Sequence, residues 1–210
     1  MKKTIMLLTA SLGLAAAPGA WAAVIFNTPN DGTYTSAFAL VAQAESFRTG
    51  SAASQLSEVM LRMTTAEGVG GNFYVQLFDA TGTSHTPGAL LTTLAGEANP
   101  FTAGNYTYTG SYNLAANTDY WIKLGVSSGS GHYRILKRSG AGYPPTVGTT
   151  PYGSADYWQG NWTVYDTDNN LSMQISSLSA VPEPSEWAAI SFGVLGMVWV
   201  AKRRFMPARA

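Results

Sequence analysis

Between residues 23 and 180 the side chains able to do chemistry are two histidines, ten carboxylates and a run of aromatic rings. His85 sits in a turn-rich stretch and His132 at the start of a short apolar run. Serines are plentiful, so a Ser–His–carboxylate triad can be written down. No serine is read as a nucleophile elbow, however, and a hydrolytic triad is not expected. Glu45, Glu58, Glu67 and Glu97 stand singly, without the paired setting that glycoside cleavage requires. The chain has no cysteine, which excludes thiol nucleophiles, thiolate metal sites and disulfides. Both histidines are simplest as exposed polar groups.

A weak metal pattern lies at Asp166, Asp168 and Asn170, which place oxygen ligands at alternate positions like the start of a calcium loop. No glycine stands at the sixth position and no glutamate at the twelfth, so the favoured expectation is a hairpin turn between residues 162–165 and 171–175. No metal or other cofactor is expected. The aromatic segment from Tyr143 to Tyr165 is the strongest candidate surface. Tyr152, Tyr157, Trp158 and Trp162 are candidate glycan contacts, because such rings stack on the apolar C–H faces of sugars. Asp156, Gln159 and Asn161 would take the hydroxyls. The alternative is that Trp158 and Trp162 plug one end of the fold. Arg134, Lys137 and Arg138 form a basic run able to meet an acidic exopolysaccharide, or simply a solvated face.

The elements that must carry these residues are strands. Phe73, Val75 and Leu77 alternate with Tyr74, Gln76 and Phe78, and Tyr120, Ile122, Leu124 and Val126 keep one phase. Residues 55–63 alternate out of perfect register. Shorter candidates cover 44–48, 89–94, 106–109, 132–137, 161–165 and 171–176, separated by turns rich in Gly, Asn, Ser and Pro. No stretch of this region keeps a helical period. The expectation is an all-β, jelly-roll-like sandwich of eight to ten strands spanning 23–180. Tyr120 and Trp121 should point to opposite faces of one strand.

The ends follow other rules. Lys2 and Lys3, the apolar run Ile5–Ala17 and Ala20-Trp21-Ala22 have the order of a signal peptide cleaved after Ala22, so residues 1–22 are expected to be removed on export. Residues 23–180 carry six Lys/Arg against ten Asp/Glu, a formal charge of −4 that argues against nucleic acid as a partner. Residues 181–210 begin Val181-Pro182-Glu183-Pro184. An apolar block at 187–201 and the basic stop Lys202, Arg203 and Arg204 follow. As a helix the block is about 22 Å long, short of a hydrocarbon core of roughly 30 Å, which suits a temporary transmembrane anchor with its basic end in the cytoplasm. This tail resembles the PEP-CTERM sorting signal of exported bacterial proteins. The resemblance implies transient anchoring in the inner membrane, processing near Pro182–Pro184 by an exosortase-type enzyme, and release to the cell surface or extracellular matrix.

A second resemblance lies inside the domain. Ser46-Phe47-Arg48-Thr49-Gly50 is followed by Val75-Gln76-Leu77-Phe78-Asp79, by Pro87-Gly88-Ala89-Leu90-Leu91 with Leu94, and by Leu114 ahead of Thr118-Asp119-Tyr120-Trp121-Ile122. That progression, over about residues 44–126, is similar to the choice-of-anchor R domain, which pairs one β fold with different C-terminal signals. Phe78 replaces the commoner Tyr, and residues 80–86 form a longer insertion. The resemblance implies an address and a fold rather than a reaction. The leading expectation is therefore a non-catalytic envelope or matrix protein associated with exopolysaccharide. A carbohydrate-binding module using the aromatic loop is the alternative, and a secreted hydrolase a further one.

Overall fold

In the computed structural model, residues 22–28, 34–37, 41–68, 71–128, 131–139, 145–165 and 169–179 are described. They form thirteen strands: β1 (Ala22–Asn27), β2 (Tyr34–Ala37), β3 (Val41–Arg48), β4 (Ser54–Glu67), β5 (Phe73–Asp79), β6 (Leu90–Leu94), β7 (Gly104–Leu114), β8 (Asp119–Val126), β9 (His132–Ser139), β10 (Ser154–Trp158), β11 (Asn161–Val164), β12 (Asn169–Leu171) and β13 (Met173–Ser179). A single 3₁₀ turn, Thr83–His85, interrupts them. Among the described residues no helix is long and apolar enough to cross a membrane. Residues 1–21 of the proposed leader and the sorting tail, with its 187–201 span, lie outside the described residues, as do Asp166 and Asp168; Ala22, the last residue of the proposed leader, opens β1.

All pairing is antiparallel, in two sheets. One runs β1-β13-β4-β9-β12, with β7 on the other edge of β4 and β2 on β9; the second runs β11-β10-β3-β8-β5-β6. Their inner faces meet in one core, where Leu56, Val59, Leu61, Tyr133 and Ile175 of the first sheet pack against Phe47, Phe73, Leu77, Tyr120 and Ile122 of the second. Phe47 stacks on Tyr120 with centroids 5.7 Å apart, and Phe73 tilts against Tyr133 at 5.2 Å. Burying a large apolar side chain is worth about 1.5–3 kcal/mol, which is why the alternation of β5 and β8 fixes their facing. Reciprocal 2.8 Å hydrogen bonds between Ala95 and Thr109 tie the flank of β6 to β7.

The imperfect alternation of residues 55–63 has a structural cause. The register shifts between Leu56 and Glu58 against β7, and between Ser176 and Ser177 against β13, so Ser57 occupies a bulge. The bulge resets the phase, and Leu56 shares the core face with Val59, Leu61 and Met63. Other expectations are corrected. The described residues hold more strands than the eight to ten anticipated, because the sequence does not announce β1, β2 and β10 and the run 171–176 falls on two strands, β12 and β13. Residues 162–165 and 171–175 do not form the expected hairpin. The flanking strands do not pair with each other: β11 pairs with β10 in the six-stranded sheet and β12 with β9 in the other, and residues 166–168 lie outside the described residues.

Candidate functional site

The outer face of the six-stranded sheet is built from side chains that alternate away from the core. Along its length β3 contributes the small residues Ala42, Ala44 and Ser46, with Arg48 at its end. On one side β8 and β5 contribute Trp121, Lys123, Gly125, Tyr74, Gln76 and Phe78; on the other, β10 and β11 contribute Ala155, Tyr157, Trp162 and Val164. In register, Ala44 stands between Lys123 and Ala155, and Tyr157 lies between Ala42 and Trp162. The small residues of β3 therefore floor a trough whose sides are aromatic. Gly125 faces Tyr74 and makes room for it: a Cβ there would come within 2.3 Å of the Tyr74 hydroxyl and force the ring to shift.

One end of the trough is closed by a second, smaller core. Ala44, Trp121 and Ala155 are fully buried, with Phe78, Ala80, Tyr152 and Trp162 packed on them. Trp121 Nε1 donates to the His85 carbonyl at 2.9 Å, its ring stacks on Tyr152, and Tyr152 stacks on the His85 ring at 4.7 Å and 6°. The Tyr152 hydroxyl donates to Asp119 Oδ2 at 2.9 Å, and Arg48 pairs with the other Asp119 oxygen at 2.9 Å. Burial first, then Asp119, raises the Tyr152 phenol above its ordinary pKa.

The loop that folds over Trp121 is held in an uncommon shape. Ser84 and His85 both have positive φ, 55° and 63°, a conformation that costs of order 1–3 kcal/mol per non-glycine residue. Pinning comes from the Trp121 bond and from Asp79, whose Oδ1 accepts Thr81 Oγ1 at 2.6 Å, Ala89 N–H at 2.8 Å and Thr81 N–H at 3.2 Å. Gly88 belongs to the same network. The sequence suggests a positive φ there, yet φ is not positive at Gly88. Its requirement is space, since a Cβ would sit 2.2 Å from Asp79 Oδ1.

Between this loop and the β10–β11 hairpin lies a cleft of about 550 Å³ lined by Thr83, Ser84, Thr86, Gly160, Asn161, Trp162 and Val164. Three hydroxyl-bearing residues on one wall, and an amide and an indole on the other, are donors and acceptors around an aromatic surface. That is the chemistry that holds a sugar ring.

Four rings surround Lys123. Its Nζ is 5.2 Å from the Tyr157 centroid, 5.3 Å from Phe78, 5.7 Å from Trp162 and 5.9 Å from Tyr74. Burial lowers the ammonium pKa, while the ring faces favour the cation. Trp162 thus belongs both to the cleft and to the rings around Lys123.

Of the four aromatic residues expected from sequence, Tyr157 and Trp162 come together, with centroids 5.0 Å apart. Tyr152 is mostly committed to the small core. Trp158, 56% exposed, stands at the hairpin end on the opposite alternation. Neither tryptophan plugs the sandwich; Trp162 packs outside the sheet. The basic run is split by alternation, with Arg134 paired to Glu67 at 2.5 Å across β9 and β4. His85 and His132 belong to different parts of the fold, one on the loop over the second sheet and one on a strand of the first. Among the described residues no group of three or more His, Cys, Asp or Glu is placed to hold a metal. Of the calcium pattern, Asn170 is described, and it is buried on β12.

Three features escaped the sequence reading. Gly125-Val126-Ser127-Ser128-Gly129 does have Gly-x-Ser-x-Gly spacing, but it leads from strand β8 towards strand β9 rather than into a helix, and the Ser127 hydroxyl donates to the Asn72 carbonyl at 3.3 Å. Lys123 joins the site because β8 carries its odd-numbered residues outward, a signal present in the alternation. Glu45 is fully buried in the sandwich, and nothing in its neighbourhood of sequence announces that. No family model matches the chain, and no curated protein matches it.

Proposed function

We propose that this chain is a non-catalytic, exported envelope or matrix protein whose jelly-roll-like domain associates with exopolysaccharide through the outer face of its six-stranded sheet. The observation that carries the reading is the cleft between the strained 83–85 loop and Trp162. A strained, well-pinned loop facing an aromatic surface and a polar rim fits a binding site better than a purely structural surface. The tail beginning Val181-Pro182-Glu183-Pro184 and ending in Lys202, Arg203 and Arg204 supports delivery by a PEP-CTERM-type signal. The motifs between residues 44 and 126 support a choice-of-anchor R type domain. Its partners in this reading are the inner membrane during sorting, an exosortase-type enzyme, and the polysaccharide afterwards.

The test is binding of the purified full-length protein to an array of bacterial exopolysaccharides. Saturable binding is expected, weakened about tenfold or more by Trp162→Ala, the loss of one stacking platform. Absence of binding to every glycan, or binding indifferent to Trp162→Ala, overturns the proposal.

A further inference from the structure

The charges on the outer face of the six-stranded sheet do not balance. Asp119 and Arg48 neutralise each other at one end. Lys123 lies four residues along β8 from Asp119, about 13 Å at the rise of an extended strand. Among the described residues it makes no ion pair. The other outward side chains of β3, β5, β8, β10 and β11 around it are aromatic, small or neutral amide. A half-buried ammonium has lost much of its water, and four ring faces restore only part of that loss. Trp162, one of those four rings, also lines the cleft, so a sugar stacked on the indole lies beside the cation.

We propose that this face selects acidic polysaccharide, with Lys123 receiving the carboxylate of a uronic acid whose pyranose ring stacks on Trp162. The inference rests on the glycan-binding reading and adds the charge of the ligand to it. A uronate fits because its carboxylate is attached directly to the ring that stacks. A compact ammonium beside the indole then meets the anion without a second binding pocket. Locally the face carries one uncompensated positive charge although residues 23–180 are net acidic, so attraction is confined to this site and the remaining surface disfavours indiscriminate binding of polyanions.

The test compares polygalacturonate with the same polymer after chemical reduction of its carboxyl groups, using the full-length protein. Polygalacturonate is expected to bind at least tenfold more tightly, with affinity falling as salt rises, the size and sign of one charge-assisted contact. Lys123→Met keeps an unbranched side chain among the rings and removes the charge; it is expected to lose that preference, its affinity for polygalacturonate falling to that for the reduced polymer. Lys123→Arg is expected to restore much of it. Equal affinity of the unaltered protein for both polymers overturns the acidic selection and leaves the glycan-binding reading standing, and this outcome needs no variant. Unchanged polygalacturonate affinity in Lys123→Met also overturns it. Binding to neither polymer, nor to any glycan on the array, removes both.

Discussion

Two carboxyl groups give the domain opposite responses to pH. Glu45 on β3 is enclosed in the sandwich, where its Oε2 accepts the Leu171 N–H at 2.8 Å and its Oε1 has no hydrogen-bond partner among the described residues. Burial, opposed only by the Leu171 bond, holds its pKa well above the ordinary value. The folded state therefore binds this proton more tightly than the unfolded chain. The associated stability is complete below the unfolded pKa of about 4.3 and is lost as pH rises through the folded value. Glu45→Gln keeps an acceptor for Leu171 and removes ionisation. Its thermal midpoint is expected to exceed the parent's at pH 8, with the gap closing towards pH 4; a parent more stable than the variant at pH 8 would contradict this. Asp79 behaves in reverse. Burial alone would raise its pKa, but the bonds from Thr81 and Ala89 outweigh that and lower it. Its contribution is present above about pH 3.9 and lost as pH falls through the folded value. Asp79→Ala should lower the midpoint more at pH 7 than at pH 2. Size matters beside charge. Trp121→Ala removes a fully buried indole and is expected to cost about 3–5 kcal/mol in denaturant melts, whereas Trp158→Ala, at an exposed position, should stay within about 0.5 kcal/mol.

The β10–β11 hairpin shows what was legible at the level of elements. Its turn is two residues long, Gln159-Gly160, between the paired Trp158 and Asn161, and both turn residues have positive φ, 48° and 88°. That is the geometry of a tight hairpin whose favoured dipeptide is Asn-Gly. Gln-Gly is a weaker form of the same signal. Because the segment from 143 to 165 is so rich in rings, Pro and Gly, β11 was recognisable and β10 passed as loop. β5 and β8 were readable in full because each keeps one apolar face in the core, and Tyr120 and Trp121 do part to opposite faces. The candidate site was half legible: Tyr157 and Trp162 stood out as rings, while Lys123 and the 83–85 loop needed the pairing of β3 with both β8 and β10. Gln159→Asn is expected to stabilise the hairpin by a few tenths of a kcal/mol, read as slower amide exchange at Tyr157 and Trp162. Gly160→Val, a β-branched residue forced into positive φ, should do the opposite by about 1–2 kcal/mol.

At the scale of the whole molecule, the proposed glycan-binding domain and the proposed sorting tail would make separable contributions. Co-expressed with an exosortase-type enzyme, the protein is expected to lose its C-terminus near Pro182–Pro184, and intact-mass spectrometry of the surface fraction would show the truncated species. Recovery of the uncut chain there would mean permanent tethering. The pairing of β1 with β13, Ala23 opposite Ser177, bears on timing as well as on shape. β13 also pairs with the first part of β4, from Met173 opposite Leu61 to Ser179 opposite Ser54. A chain threaded through a membrane pore with its N-terminus leading cannot finish the first sheet until residue 179 has cleared the pore. Until then β1 and β4 wait with open edges, the situation in which holding chaperones act and strangers pair. Under the proposed export route, delivery is thus expected to be sensitive to the rate of the final segment, with the sheet's last strand acting as the clock for the whole domain.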